Sequence, residues 1–183
     1  MQTLAKPVTY AEYRALDTDD HFLYELINGE LVQKSAPSPF HQLISGNLYT
    51  KLRAFVEGQN LGTVLFAPVD LFIDDNNTPQ PDLMFIAAKN RHFITNDGVF
   101  GAPDLVVEII SPSSITRDRV EKQRLYHRFG IMEYWIVDPQ NKSIEVYTHT
   151  PSGYEVHAFA AEKGQVVSKV LTGFEVRLSD IFT

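Results

Sequence analysis

Three features of the sequence predict an α/β fold with a central mixed β-sheet flanked by helices. They are a buried-strand run at Leu105 to Ile110, a long segment with apolar residues at helical spacing ahead of it, and alternating runs on either side. A short run of Val, Leu and Ile reads as a strand covered on both faces, which requires helices above and below the sheet. Helix, strands, buried strand, helix and strand then follow in the order of an α/β layer.

Thr9 to Leu16 reads as a short helix entered at a threonine cap. Leu23 to Ile27 and Glu30 to Gln33 flank Asn28-Gly29, the strongest short hairpin signal, so an N-terminal hairpin is expected. Ser38-Pro39 opens a long helix, with serine at the cap and proline in the first turn, and Ile44, Leu48, Leu52, Phe55 and Val56 give it one buried face up to Gly58. Strands are expected at Thr63 to Phe66, Val69 to Ile73 and Leu83 to Ile86, with a polar turn at Asp74 to Asn77. The buried strand leads through Ser111-Pro-Ser-Ser114 into a helix from Arg117 to Phe129, stopped by Gly130. C-terminal strands follow at Glu133 to Asp138, Ser143 to Thr148 and Tyr154 to Phe159, then a short helix at Leu178 to Phe182.

A length of 183 residues with 44% apolar content suffices for one domain spanning 1–183. The absence of cysteine excludes disulfides and thiolate metal sites, and the six histidines show no His-Glu-x-x-His spacing. The start of the chain, Met1 to Pro7, lacks a basic segment followed by an apolar stretch, and no run approaches about 18 apolar residues. A cytoplasmic protein without a membrane partner is expected. The formal net charge of −7 opposes a broad phosphate-binding surface. Locally the balance reverses, since Arg117, Arg119, Lys122, Arg124 and Arg128 face only Asp118 and Glu121 along one segment. Arg117, Arg119 and Arg124 are therefore candidate nucleic-acid contacts; a solvated helix face paired with neighbouring carboxylates is the competing reading.

A carboxylate inside an apolar run is costly unless something positive sits beside it, and two candidates satisfy this description: Asp82 after Pro81, and Glu108 within Val-Val-Glu-Ile-Ile. Asp104 also follows a proline, but four residues along one strand separate it from Glu108 by roughly 13 Å. Adjacent strands lie only about 4.8 Å apart, so Asp82 can converge with Glu108 if their strands are neighbours. Such a pair suits a hard divalent cation that keeps several waters. Asp104 is read as a residue that starts the strand.

Taken together, Pro81-Asp82, Glu108 in Val-Val-Glu-Ile-Ile-Ser-Pro-Ser, Asp118, Lys122, Tyr126 and Gly130-x-x-Glu-Tyr-Trp-Ile-Val-Asp-Pro139 resemble the Uma family of putative restriction endonucleases, within the PD-(D/E)xK nuclease superfamily. Tyr24-Glu-Leu-Ile-Asn-Gly-Glu-Leu31 and Ser38-Pro-x-His41 extend the resemblance from about Thr9 to the C-terminus. It implies a restriction-endonuclease-like core and metal-dependent cleavage of DNA, by a homodimer that cuts both strands. The superfamily signature ends in Glu-x-Lys, whereas Ile110 stands at its last position here, and the resemblance implies that Lys122 substitutes. Asp82 and Glu108 are then the expected ligands of Mg²⁺ or Mn²⁺, Lys122 the group beside the attacking water, and Glu25 and His41 secondary catalytic candidates. Competing readings are an exposed Asp118–Lys122 pair, a strand carboxylate at Glu25 paired with a lysine, and a helix-start histidine at 41. Tyr126 is read as core. The alternative for the whole chain is a catalytically silent nuclease-fold protein that binds nucleic acid or a protein partner.

Overall fold

A computed structural model describes residues 6–16 and 22–183, so the reading of the first residues lies partly outside it. Helix α1 (Tyr10–Arg14) is closed by a reciprocal cap, in which Thr9 Oγ1 accepts from the Glu12 amide and the Glu12 carboxylate accepts from the Thr9 amide. Strands β1 (Leu23–Ile27) and β2 (Glu30–Lys34) turn through Asn28 and Gly29, both at positive φ, as a two-residue primed turn demands. Ser38 caps α2 (Pro39–Gly58), whose Ile44, Leu48, Leu52 and Val56 form one buried stripe. Then come β3 (Gly62–Phe66), β4 (Leu71–Phe72), β5 (Leu83–Ala87), β6 (Ile94–Thr95), β7 (Gly98–Phe100) and β8 (Leu105–Ile109). A π-helical segment (Arg117–Lys122) runs into α3 (Gln123–Phe129), ended by Gly130 in the left-handed region. Strands β9 (Glu133–Asp138), β10 (Ser143–Thr150), β11 (Gly153–Ala161), β12 (Gln165–Val167) and β13 (Glu175–Arg177) complete the order, before a 3₁₀ turn at Leu178–Asp180.

Six strands form the central sheet in the order β11-β10-β9-β8-β5-β3. Strands β8 and β9 pair parallel and the other neighbours antiparallel, so the sheet is mixed. Because side chains alternate along a strand, each strand feeds two cores. Leu105, Val107 and Ile109 of β8 join the core under α2 and the C-terminal residues Phe174, Val176, Leu178 and Ile181. Val106 and Ile110 join the opposite core with Tyr126 of α3, Leu71 and Val99. Glu108 has the parity of the second set. Its carboxylate is thereby delivered to the side of the π-helical segment and α3, which explains why that helix can answer it.

Several boundaries differ from expectation. The strand expected at Val69 to Ile73 contracts to Leu71–Phe72, because the Ile73 amide donates to Asn77 O in the turn and the Asp70 carbonyl accepts from Val99. The regular helix expected from Arg117 to Phe129 opens into a wider turn over its first half, where the Tyr134 hydroxyl donates to the Asp118 carbonyl; a side chain inserted into the helical ladder is a recognised cause of such distortion. The terminal helix expected at Leu178 to Phe182 is a single 3₁₀ turn. The short strands β6, β7, β12 and β13 carry two or three residues each and were not anticipated from the pattern. Among the described residues, no helix is long and apolar enough to cross a membrane.

Candidate active site

The β5–β8 ladder ends with Leu83 opposite Val107, so Asp82 stands across from Glu108 in its continuation. Asp82 Oδ2 accepts from the Ile109 amide at 2.7 Å and lies 3.3 Å from His41 Nε2, which the first turn of α2 supplies. Glu108 Oε1 receives Lys122 Nζ at 2.9 Å and the Tyr126 hydroxyl at 2.6 Å. Lys122 Nζ also lies 2.9 Å from Glu25 Oε1 and 3.6 Å from Asp118 Oδ1. Glu25, on β1, accepts from the Gln80 amide at 2.7 Å, and the antiparallel bridge between Leu26 and Thr78 ties the hairpin to this segment. The five candidates from the sequence thus fall into two contact groups on adjacent strands, His41 with Asp82, and Glu108 with Lys122 and Glu25.

Burial sets the energetics. Glu25, Glu108, Asp118 and Lys122 are each no more than 3% exposed. Ions so far from water persist only when paired and hydrogen-bonded. An exposed Asp118–Lys122 pair is thereby excluded, and Glu25 is paired with Lys122 in the interior rather than with a lysine at the surface alone. Burial pushes the Glu108 carboxyl up to about 8, with Asp118, Asp82 and Glu25 adding to the rise and Lys122 opposing it. Burial also raises Asp118, again against Lys122. For Glu25, burial is outweighed by Lys122 and Lys34, which hold it below its ordinary value. Burial is likewise outweighed at Asp82, lowered by His41, Lys34 and the Ile109 amide. His41 is raised, its burial overcome by Asp82. Lys122 is raised well above its ordinary value, since three carboxylates outweigh its burial. Lys122 Nζ and the Tyr126 hydroxyl both donate to the same Glu108 oxygen.

Among the described residues, no group of three or more His, Asp or Glu side chains could hold a metal ion. The Lys122 ammonium lies between Glu25, Glu108 and Asp118. The donor set fitting a divalent ion is instead the pair Asp82 and Glu108. Their contacts converge on Oδ2 and Oε1, which leaves Oδ1 and Oε2 as hard oxygen donors. Two carboxylates with water completing the shell suit Mg²⁺ or Mn²⁺.

Other sequence candidates sit elsewhere. Asp104 lies at the far end of β8, where Oδ2 accepts from the Ala87 amide at 2.8 Å and from Asn90 Nδ2 at 3.1 Å. Arg119 is half-buried against Glu145 at 2.6 Å and lies 3.9 Å from Asp138, so this member of the basic segment is committed to β10 and β9. Arg117 is half-buried and Arg124 exposed, and neither makes an ion pair among the described residues. Tyr126, assigned to the core, is fully buried and also bonds Glu108. Lys34 escaped attention altogether; its Nζ donates to Gln80 O at 2.8 Å and lies 3.5 Å from Glu25 Oε1. A signal existed, because the Asn28-Gly29 register pairs Glu25 with Val32 and so puts Lys34 on the same face, diagonal to Glu25.

The family Uma2, described as "Putative restriction endonuclease", matches residues 10–179. An uncharacterised protein, slr1290, from Synechocystis sp. is 28% identical over 155 residues, covering 80% of this chain and 75% of that protein. A crystal structure described as a "putative nuclease belonging to DUF820" from Anabaena variabilis superposes with a TM-score of 0.79 at 20% identity, covering 96% of this chain and 98% of that one. At that identity the likeness establishes the fold.

Proposed function

The chain belongs to the Uma2 family, and from this membership and its buried carboxylates we propose that it is a divalent-metal-dependent endonuclease hydrolysing phosphodiester bonds in DNA. The family description and the DUF820 neighbour both support a nuclease. The observation that carries the reading furthest is Asp82 opposite Glu108 at one end of the sheet, with one oxygen of each fixed by the protein. Asp82 and Glu108 are the ligands. A bound Mg²⁺ or Mn²⁺ supplies charge stabilisation at the phosphate and lowers the pKa of a coordinated water. His41 and the Ile109 amide orient Asp82, while Lys122 and Tyr126 orient Glu108. Lys122 balances the carboxylates around it, and Glu25 fixes Lys122 from the other side.

Arg117 and Arg124 are the cations of the basic segment left to meet a phosphate backbone. Val156 and Phe159, each at least 60% exposed on edge strand β11, support an assembly of two copies. Cutting both strands of a duplex calls for two sites.

The test is incubation of the purified protein with DNA and RNA substrates in Mg²⁺ or Mn²⁺, beside Asp82→Ala. DNA cleavage by the wild type alone is expected. Equal cleavage by both proteins, or none by either, removes the nuclease assignment; binding without cleavage supports the silent nuclease-fold alternative.

A further inference from the structure

Two lysines approach the carboxylates, and they differ in the donors left to them. An ammonium carries three N–H groups and accepts nothing. Around Lys122 stand three carboxylates, Glu25 and Glu108 at 2.9 Å and Asp118 at 3.6 Å, and its side chain is 3% exposed. Its capacity is spent inside the protein. Lys34 reaches the same cluster from the end of β2 with a side chain 23% exposed. One N–H goes to Gln80 O at 2.8 Å, and Glu25 Oε1 lies 3.5 Å away at ion-pair distance. The partly exposed ammonium therefore keeps donor capacity that the buried Lys122 lacks. Gln80 precedes Asp82 by two residues, so this amine is anchored to the segment that delivers the proposed metal ligand. Its charge is also felt at Asp82 and His41.

We propose that Lys34 is the catalytic lysine that contacts the scissile phosphate, donating its free N–H to a non-bridging oxygen, while Lys122 is a positioning residue that sets Glu108 and Glu25. The inference rests on the nuclease reading above and assigns its missing cation to the hairpin rather than to the helix. Lys34 keeps its proton throughout. In the hydrolysis a water oxygen bonds to phosphorus, one ester P–O bond breaks, and a proton from the water ends on the departing oxygen. The charge that gathers on the non-bridging oxygens during this exchange is what a fixed ammonium stabilises.

The experiment compares wild type, Lys34→Gln, Lys34→Met and Lys34→Arg on a DNA substrate the wild type cleaves in Mn²⁺. Binding is followed separately in Ca²⁺ over a range of salt, and folding by circular dichroism. Lys34→Met retains the apolar stem and serves where Lys34→Gln fails to fold. Expected are a kcat lower by a factor on the order of 10² to 10³ with a smaller change in KM, a salt slope reduced by roughly one, and partial recovery in Lys34→Arg. A purely structural lysine would lower the folded fraction and leave the salt slope of the folded molecules unchanged. Either neutral variant, folded and cleaving at the wild-type rate, overturns the role of Lys34 and leaves the nuclease reading standing. A wild type that cleaves nothing in Mg²⁺ or Mn²⁺ removes both.

Discussion

Glu108 and Glu133 are buried glutamates on neighbouring parallel strands, and the protein treats them in opposite ways. Glu133, at the start of β9, is fully enclosed and saturated. Its Oε1 accepts from Trp135 Nε1 and Ser168 Oγ, each at 2.7 Å, and its Oε2 from the Lys169 and Val170 amides at 2.7 and 2.9 Å. Glu108, near the end of β8, has both its donors on Oε1. One carboxylate latches the segment after β12 to the sheet; the other keeps an oxygen in reserve. Burial therefore does not distinguish a functional carboxylate from a structural one. The distribution of donors over its two oxygens does.

The largest effect expected from this contrast is in Glu108→Gln, which keeps the shape and the Lys122 and Tyr126 neighbours but gives up an anionic oxygen. Its cleavage rate should fall by at least about 10³, more than the loss of a single oxyanion donor, with the fold retained by circular dichroism. A folded Glu108→Gln that cleaves like the wild type would end the assignment of Glu108 as a ligand.

Next in size, Glu133→Ala removes the acceptor of four donors, two of them buried, and should cost about 3 kcal/mol or more in urea unfolding, with cleavage per folded molecule unchanged. Loss of catalysis at full stability would show that Glu133 had been misjudged as structural.

Asp104→Ala should cost only about 1 to 2 kcal/mol, from its bonds to Ala87 and Asn90. Calorimetry should find divalent-ion affinity as in the wild type, against a strong loss in Asp82→Ala. Equal losses in the two variants would shift the proposed site to the wrong end of β8.

The smallest effect concerns pH. Glu108, pushed up to about 8, and Asp118, also raised, contribute stability that is fully present below the ordinary carboxylate range and lost as pH rises through their folded values. Glu25 and Asp82 are lowered, so theirs is lost only as pH falls below that range. In chelator, the melting temperature should decline by a few degrees between about pH 5 and pH 8. A flat or rising profile would mean that Lys122 keeps Glu108 fully ionised.

Much of the geometry of the candidate site was legible in the sequence because its residues sit where local rules are strong. The apolar run around Glu108 fixed a strand, the parity of that strand fixed a face, and spacing arguments chose Asp82 over Asp104; β5 and β8 are indeed neighbours. Helix caps at Thr9 and Ser38 and the Asn28-Gly29 turn were equally local. What escaped depends on contacts distant in sequence. Strands β4 and β7 pair across two intervening strands and a 3₁₀ segment at Ala88–Phe93, through two residues each, and no periodicity survives in so short a run. Arg119 looked like a solvent-facing cation until Glu145, 26 residues later, arrived beside it. Lys34 ends a polar strand and stood out only through the hairpin register.

The π-helical segment has a consequence for how this chain tolerates insertion and deletion. A π turn accommodates a residue beyond what a regular helix would hold, and here it lies between Ser114 and α3. In a regular helix each residue removed rotates everything on one side relative to the other by about 100°, whereas a π turn gives up its extra residue by tightening. Lys122 and Tyr126 touch one oxygen of Glu108, while Asp118 approaches the same ammonium from the preceding turn. Deleting one residue from 119–121 would tighten the coil into an ordinary helix, with Lys122 and Tyr126 still on Glu108 and Asp118 still a neighbour of the ammonium at i,i+3 spacing. Length in this stretch consequently has one residue of slack, and the outward positions, such as Val120 and Glu121, face solvent.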